Sequence, residues 1–221
     1  MTHDSVTLQI PTLDSPLVRL RPLRQDDAPA LVTAASDGTL WELPFTVVPS
    51  ATTVGVYLAT ALQGLSTGGV WPFAIIDAAT DAVIGSTRFW KIDHNNRKLE
   101  IGHTWLAASW QGTLANTQAK LLLLQQAFDN MACVRVQFTT DVLNLRSQRA
   151  IEKLGAVREG VVRHERIMPD GRKRNSVRYS IIDSEWPAIR ERLQLKLREG
   201  GSWPTRPPAG MPTMDGTGNS P

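Results

Sequence analysis

Glu100 and His103 lie three residues apart in "LEIGHTWL" and offer a carboxylate and an imidazole. These are among the groups most used to take a proton from a reacting atom. A few residues later "SWQGTLANT", Ser109 to Thr117, runs straight into the apolar "QAKLLLLQQAF". A strand, a short polar turn and a helix in that order suit an anion held at a helix N-terminus. There the free N–H groups and the positive end of the dipole point outward. Phosphate-cradling loops usually carry several glycines, and this turn has only Gly112. Backbone donors exist whatever the side chain, and glycine is required only where φ is positive or a Cβ meets the ligand. The turn therefore serves an anion on one condition: Leu114 has negative φ and points away from it. Thr113, Asn116 and Thr117 then add side-chain donors. The competing reading is a capped turn with Asn116 or Thr117 as N-cap and no ligand.

Strand alternation puts Glu100, Gly102 and Thr104 on one face and Ile101, His103 and Trp105 on the other. A β-bulge, common beside active sites, would bring them closer. The alternative for Glu100 is an ion pair with Arg97 or Arg19, and for His103 a satisfied packing histidine. Further on, Asn144 and Ser147 open "NLRSQRAIEKLG". Asn144 reads as the helix cap, Ser147 as a first-turn residue and Gly155 as the residue just past the end.

Positioning these groups takes a folded domain, and the composition allows one. The chain has 221 residues, 42% of them apolar, which is enough for a core. Its net charge of +3 is too small to argue for nucleic acid. The densest basic stretch, "RHERIMPDGRKR", is interrupted by Glu165 and Asp170 and reads as a solvated hairpin. Cys133 is the single cysteine, so no intrachain disulfide forms; packing is its expected role. The N-terminus has no basic-then-apolar signal pattern, and "VWPFAII" is too short to span a bilayer. A soluble, cytoplasmic protein is expected. From residue 199 onward the chain is rich in Gly and Pro and reads as a tail, with Trp203 as a surface anchor.

The remaining segments alternate between periods of 2 and 3.6. "PLVRLRPL" is a strand. "RQDDAPALVTAAS" is a helix capped by Asp26 or Asp27, and "SATTVGVYLATALQGL" is a second helix ended by Gly68 and Gly69. "VWPFAIID", "AVIGSTRFWKID" and "RKLEIGHTWL" form an antiparallel meander, with "AATD" and "HNN" as turns. A long helix follows from Thr117 to Met131, with Leu121, Leu124, Phe128 and Met131 on one side. "CVRVQFTT" is a strand, "NLRSQRAIEKLG" a short helix, "AVREGVVRHERIM" and "NSVRYSII" a hairpin, and "SEWPAIRERLQLKLRE" the closing helix. The order βααβββαβαββα makes this an α/β protein with a mixed sheet.

That order, with "LEIGHTWLAASWQG", "TQAKLLLL", "NLRSQRAIEKLGAVREG" and "MPDGRKRNSVRYSI", resembles the GNAT acetyltransferases, and within them the RimJ/RimL-type branch. The resemblance covers about residues 17–198 and implies a domain over 1–198, followed by the tail 199–221. It implies a mostly antiparallel mixed sheet flanked by helices on both faces. It also implies acetyl transfer from acetyl-CoA, without a metal, to a primary amine: a protein N-terminus, a ribosomal or other protein, or a small amine. A homodimer is a family-level expectation; no membrane or nucleic-acid partner is expected. The family's pyrophosphate loop, [QR]-x-x-G-x-[GA], falls on Gln111 to Asn116, with Gln111 in the first place. Leu114 stands where glycine is usual, and Asn116 where glycine or alanine is. The loop set is Gln111, Gly112, Thr113, Leu114, Ala115, Asn116 and Thr117.

Acetyl transfer needs a deprotonated amine, a stabilised thioester oxygen and a proton for the departing thiolate. By resemblance Glu100 is the base, directly or through water, and His103 is second. Backbone N–H groups near Trp105 and Leu106 hold the oxygen. Ser147 protonates the thiolate and Asn144 reaches the pantetheine or an ordered water. Arg149 and Lys153 face either the phosphates or solvent. Trp41, Phe45, Trp90 and Trp110 are candidate walls of the acceptor pocket or core residues. The competing function is a GNAT-like protein that only senses CoA or binds a partner.

Overall fold

The computed structural model describes residues 10–168 and 170–200. In chain order its elements are β1 (Leu13–Asp14), β2 (Val18–Pro22), α1 (Ala28–Ser36), α2 (Val54–Ser66), β3 (Val70–Asp77), β4 (Val83–Asp93), β5 (Lys98–Leu106), α3 (Ala115–Gln125), β6 (Arg135–Asp141), α4 (Leu145–Lys153), β7 (Val157–Ile167), β8 (Lys173–Ile182) and α5 (Trp186–Arg198). Apart from the two-residue β1, too short for any period to reveal, this is the order the sequence predicts. The tail from residue 201 onward, with Trp203, and the first nine residues lie outside the described residues.

All eight strands form one sheet in the order β1-β2-β3-β4-β5-β6-β8-β7. Among the described residues only β5 and β6 pair in parallel; every other neighbour is antiparallel. The parallel pair follows from connectivity, because α3 carries the chain back across the sheet between those two strands. "VWPFAIID" lacks alternation because both faces of β3 are covered: Trp71 to Asp77 are all buried. α1 and α2 pack together against β4 and β3, while α3 packs on β2 and against α5. Phe128 stacks on Trp186 at 5.4 Å and 22°, and Trp186 Nε1 donates to Asp129 at 2.7 Å.

Three local expectations change. Asp27 precedes α1 but does not cap it with its side chain. It accepts instead from the Arg24 N–H at 2.7 Å and pairs with Arg21 at 2.5 Å. The long helix starts at Ala115, two residues early, and its last turn, Gln126–Asn130, is a π-turn in which the Met131 N–H reaches the Gln126 carbonyl. The N-cap of α3 is Leu114, so neither Asn116 nor Thr117 caps it. Asn144 does cap α4: its Oδ1 accepts from the Ser147 N–H at 3.0 Å.

Candidate active site

β5 and β6 pair at only three positions, Lys98↔Arg135, Leu99↔Val136 and Glu100↔Gln137, and then part. The gap opens into a cavity of about 590 Å³. Its walls come from the diverging ends of both strands, the starts of α3 and α4, the loop around Phe45 and the β7–β8 hairpin. Glu100 is the last β5 residue paired with β6, so the carboxylate sits where the sheet splits.

Glu100 is 1% exposed, and burying a carboxylate is costly unless it is paired. Lys91 Nζ at 3.0 Å and Gln137 Nε2 at 2.9 Å both donate to its Oε2. The ion pair with Arg97 or Arg19 is not formed; Arg19 pairs with Asp14 and Asp81 instead. Oε1 of Glu100 is buried and has no hydrogen-bond partner among the described residues. One carboxylate oxygen is thus anchored and the other is buried without a partner.

The anticipated bulge is present. Arg88 opposes Gly102 and Ser86 opposes Trp105, so His103 and Thr104 together face the single Thr87. His103 takes φ +50, a value rare outside glycine and typical of such irregularities. Gly102 is required here, because a Cβ would lie 2.6 Å from Trp90 Nε1. The His103 ring meets the Trp90 ring edge-on at 5.0 Å, and Trp90 is the cross-strand partner of Glu100. Strict alternation separates Glu100 and His103, but the bulge puts both on the cavity wall. Burial pushes the imidazole down to about 3, helped by the charges of Arg88, Arg166, Arg174 and Lys91. His103 is therefore neutral at neutral pH.

The condition on Leu114 is met: its φ is −72 and its side chain is buried away from the cavity. The positive φ of the turn falls on Gly112, at +82 with open space around it. Of the loop residues, Gln111, Gly112 and Asn116 line the cavity; Thr113, Leu114, Ala115 and Thr117 do not. The Thr113 hydroxyl is committed to the turn, donating to the Trp110 carbonyl at 2.8 Å and accepting from the Ala115 N–H at 3.2 Å. It is therefore no donor to an anion. The N–H groups of Asn116 and Thr117 have no hydrogen-bond partner among the described residues. Gln111 Nε2 donates to the Leu106 carbonyl at 2.7 Å, and its Oε1 accepts from Arg146. That side chain ties the end of β5 to α4.

Trp105, Leu106, Asn144 and Ser147 also line the cavity. Trp105 Nε1 donates to the Tyr57 hydroxyl at 3.2 Å, which fixes the indole. Of the aromatic candidates, Phe45 and Trp90 line the cavity and Trp41 and Trp110 do not. Arg149 and Lys153 are exposed on α4, and Arg146 is the α4 cation on the wall. Cys133 is buried, and burial raises its thiol to about 11, which suits packing rather than nucleophilic chemistry.

Lys120 is the residue that the pattern of the sequence conceals. It is 5% exposed, lines the cavity one helical turn after Asn116, and donates to Thr104 Oγ1 at 2.5 Å. Burial lowers its ammonium to about 7. A lysine embedded in "QAKLLLLQQAF" at i+4 from a loop asparagine is the signal that points to it. The β7–β8 hairpin also departs from the solvated reading. Arg166 and Arg174 line the cavity, and Arg172 pairs with the fully buried Asp141 at 2.8 Å.

A model of the family described as "Acetyltransferase (GNAT) domain" matches residues 18–157. The chain belongs to the GNAT acetyltransferase family. It is 30% identical over 105 residues to YdaF of Bacillus subtilis (strain 168), a protein named for ribosomal N-acetyl transfer. That match covers 48% of this chain and 56% of YdaF, so the chain spans about half the length of its curated relative. An acetyltransferase-named structure from T. thermophilus is 36% identical, covers 86% of this chain and 98% of its own, and superimposes with TM-score 0.75. RimJ of Mycobacterium smegmatis, solved with CoA-disulfide, shares the fold at TM-score 0.72 and 22% identity, over 85% of this chain and 94% of its own.

The positive φ at Gly112 allows a direct test of the Gln111–Thr117 turn as a ligand loop. Gly112→Val forces a β-branched residue into left-handed backbone, at about 1–2 kcal/mol. Acetyl-CoA affinity in calorimetry is expected to fall about tenfold while the chain stays folded by circular dichroism. Unchanged affinity would show that the turn does not hold the ligand.

Proposed function

We propose that this chain moves the acetyl group of acetyl-CoA to a primary amine by direct transfer, within the RimJ/RimL-type branch. The carrying observation is Glu100: a buried carboxylate with one oxygen anchored and one unpartnered, at the point where β5 and β6 part. Acetyl-CoA supplies an activated acyl carbon. The unpaired N–H groups at the start of α3, with Gln111, Gly112 and Asn116, suit its pyrophosphate. Asn144 and Ser147, on the cavity wall at the start of α4, suit contacts with its pantetheine arm.

Glu100 Oε1 takes the proton from the attacking amine, directly or through a water. Lys91 and Gln137 hold the other oxygen and fix the carboxylate's orientation. Backbone N–H groups near Trp105 and Leu106 stabilise the oxygen of the acyl group as charge develops on it. As the new C–N bond forms, the C–S bond breaks and the sulfur takes a proton. Ser147 is one donor for it. Lys120, titrating near neutrality on the same wall, is the stronger acid of the two. His103, held neutral, shapes the acceptor side with Trp90 and Phe45. A protein N-terminus falls within this acceptor class, and the name of YdaF supports it. A cytoplasmic location fits the lone cysteine; among the described residues no helix is long and apolar enough to cross a membrane.

The test is thiol release from acetyl-CoA over a panel of amines, with mass spectrometry of the amine product. Release equal to acetylated amine is expected. Calorimetric binding of acetyl-CoA with no turnover on any amine would favour a sensor. No binding at millimolar ligand would favour a partner-binding module.

A further inference from the structure

The acceptor side of the cavity carries more positive charge than its own carboxylates balance. Five cationic side chains line the whole cavity, Lys91, Lys120, Arg146, Arg166 and Arg174, against two carboxylates, Glu100 and Glu165. Both carboxylates are already engaged: Glu100 by Lys91 and Glu165 by Arg178 at 3.0 Å. Arg146 is turned to Gln111, at the loop end.

Arg166 and Arg174 remain, and they oppose each other directly across β7 and β8. Like charges at facing positions of an antiparallel pair destabilise it. Among the described residues no carboxylate forms an ion pair with Arg166. Arg174 is mostly buried and reaches Asp141 only at 3.8 Å, a carboxylate that Arg172 holds at 2.8 Å. Its Nε donates to Ser176 at 3.0 Å, and among the described residues its terminal nitrogens make no hydrogen bond. Burial disfavours its charged form, so the fold keeps a cation where one is costly. A carboxylate between the two forks would relieve both the repulsion and the desolvation, since planar guanidinium groups match it in a bidentate way.

We infer that Arg166 and Arg174 form an anion subsite that selects acceptors carrying a carboxylate close to the reacting amine. This rests on the acetyl-transfer reading of the same cavity. Four cations, Arg88, Arg166, Arg174 and Lys91, bear on His103. The same field opposes entry of a polycation and favours the uncharged form of an amine once it is bound. A polyamine is therefore a poor substrate, and the anionic partner brings the amine in.

The experiment compares matched acceptors on the full chain. One arm uses free amino acids against their amides, where the carboxylate is terminal. The other uses amidated peptides with Asp or Glu as second residue against their Asn or Gln counterparts. In at least one arm, kcat/KM is expected to favour the acid by about tenfold or more. Arg166→Gln, at an exposed position, and Arg174→Lys, which keeps the charge but loses the fork, should each reduce that ratio. Arg163→Gln, an exposed arginine on the same strand outside the cavity, should leave it unchanged. Equal rates for acid and amide in both arms, or a preference for spermidine, would overturn the subsite. A parallel calorimetric titration of the CoA-bound protein with N-acetylated acids and their amides needs no turnover. Equal binding there overturns the subsite too, whereas failure of acetyl-CoA itself to bind overturns the acetyl-transfer reading.

Discussion

Glu100→Gln is expected to lower kcat about a hundredfold or more, with acetyl-CoA affinity unchanged in calorimetry. Glutamine keeps the length and planarity of the side chain, so its oxygen still accepts from Gln137. It loses the negative charge and with it the capacity to take a proton. Lys91 loses its charged partner, but it is 49% exposed and water replaces the carboxylate at little cost. The fold should therefore survive, and the loss should appear in the chemical step. His103 cannot take over, because its imidazole is held near 3 by burial and the surrounding cations. Any titration in the kcat/KM profile between pH 5 and 8 should accordingly persist in His103→Gln and disappear in Lys120→Met. An unchanged kcat at the optimum pH would remove Glu100 as base and leave the proton to solvent.

Lys120→Met should stabilise the protein and slow it. Burial lowers the Lys120 ammonium from 10.5 to about 7, a gap worth roughly 4–5 kcal/mol as an upper bound. The folded state binds this proton less readily than the unfolded state. Between pH 10.5 and 7 the unfolded chain holds more protons, so stability falls as pH falls through that window. The penalty is absent above about 10.5 and complete below about 7. Methionine has a similar length and no charge, and Thr104 keeps its hydrogen bond to Thr87 at 2.8 Å. Urea unfolding at pH 7 should show a gain of about 2 kcal/mol or more that shrinks at pH 10. An equal gain at both values would assign the effect to packing and not to ionisation. A fall in kcat with the same variant would assign the buried charge a catalytic use, the usual reason a fold keeps such a strain.

Much of the site is legible from local pattern. Asn144 reads as a cap because a polar residue opens an amphipathic helix, and the cap depends only on its own turn. Gly102 and His103 sit in a strand beside a turn, where a bulge is common, and one forms. The Leu114 condition is also local: the first residues of a helix fix its φ, so a missing glycine leaves the backbone donors in place. The departures are those of register and reach. Pattern points to Arg97 and Arg19 as partners of Glu100, neighbours in sequence or type, whereas Lys91 and Gln137 come from the two adjacent strands. Thr113 has the right chemistry, but its hydroxyl is used inside its own turn.

By itself the sequence determined the alternation of strands and helices, the α4 cap and the turn that ends in α3. Those depend on periodicity and short-range hydrogen bonds, and both are written in consecutive residues. Only the tertiary structure decided that β5 and β6 part just after Glu100, that Lys120 is buried in the resulting cavity, and that Arg166 faces Arg174 across its wall. Those features arise where segments far apart in sequence meet, and burial there changes what each charge costs.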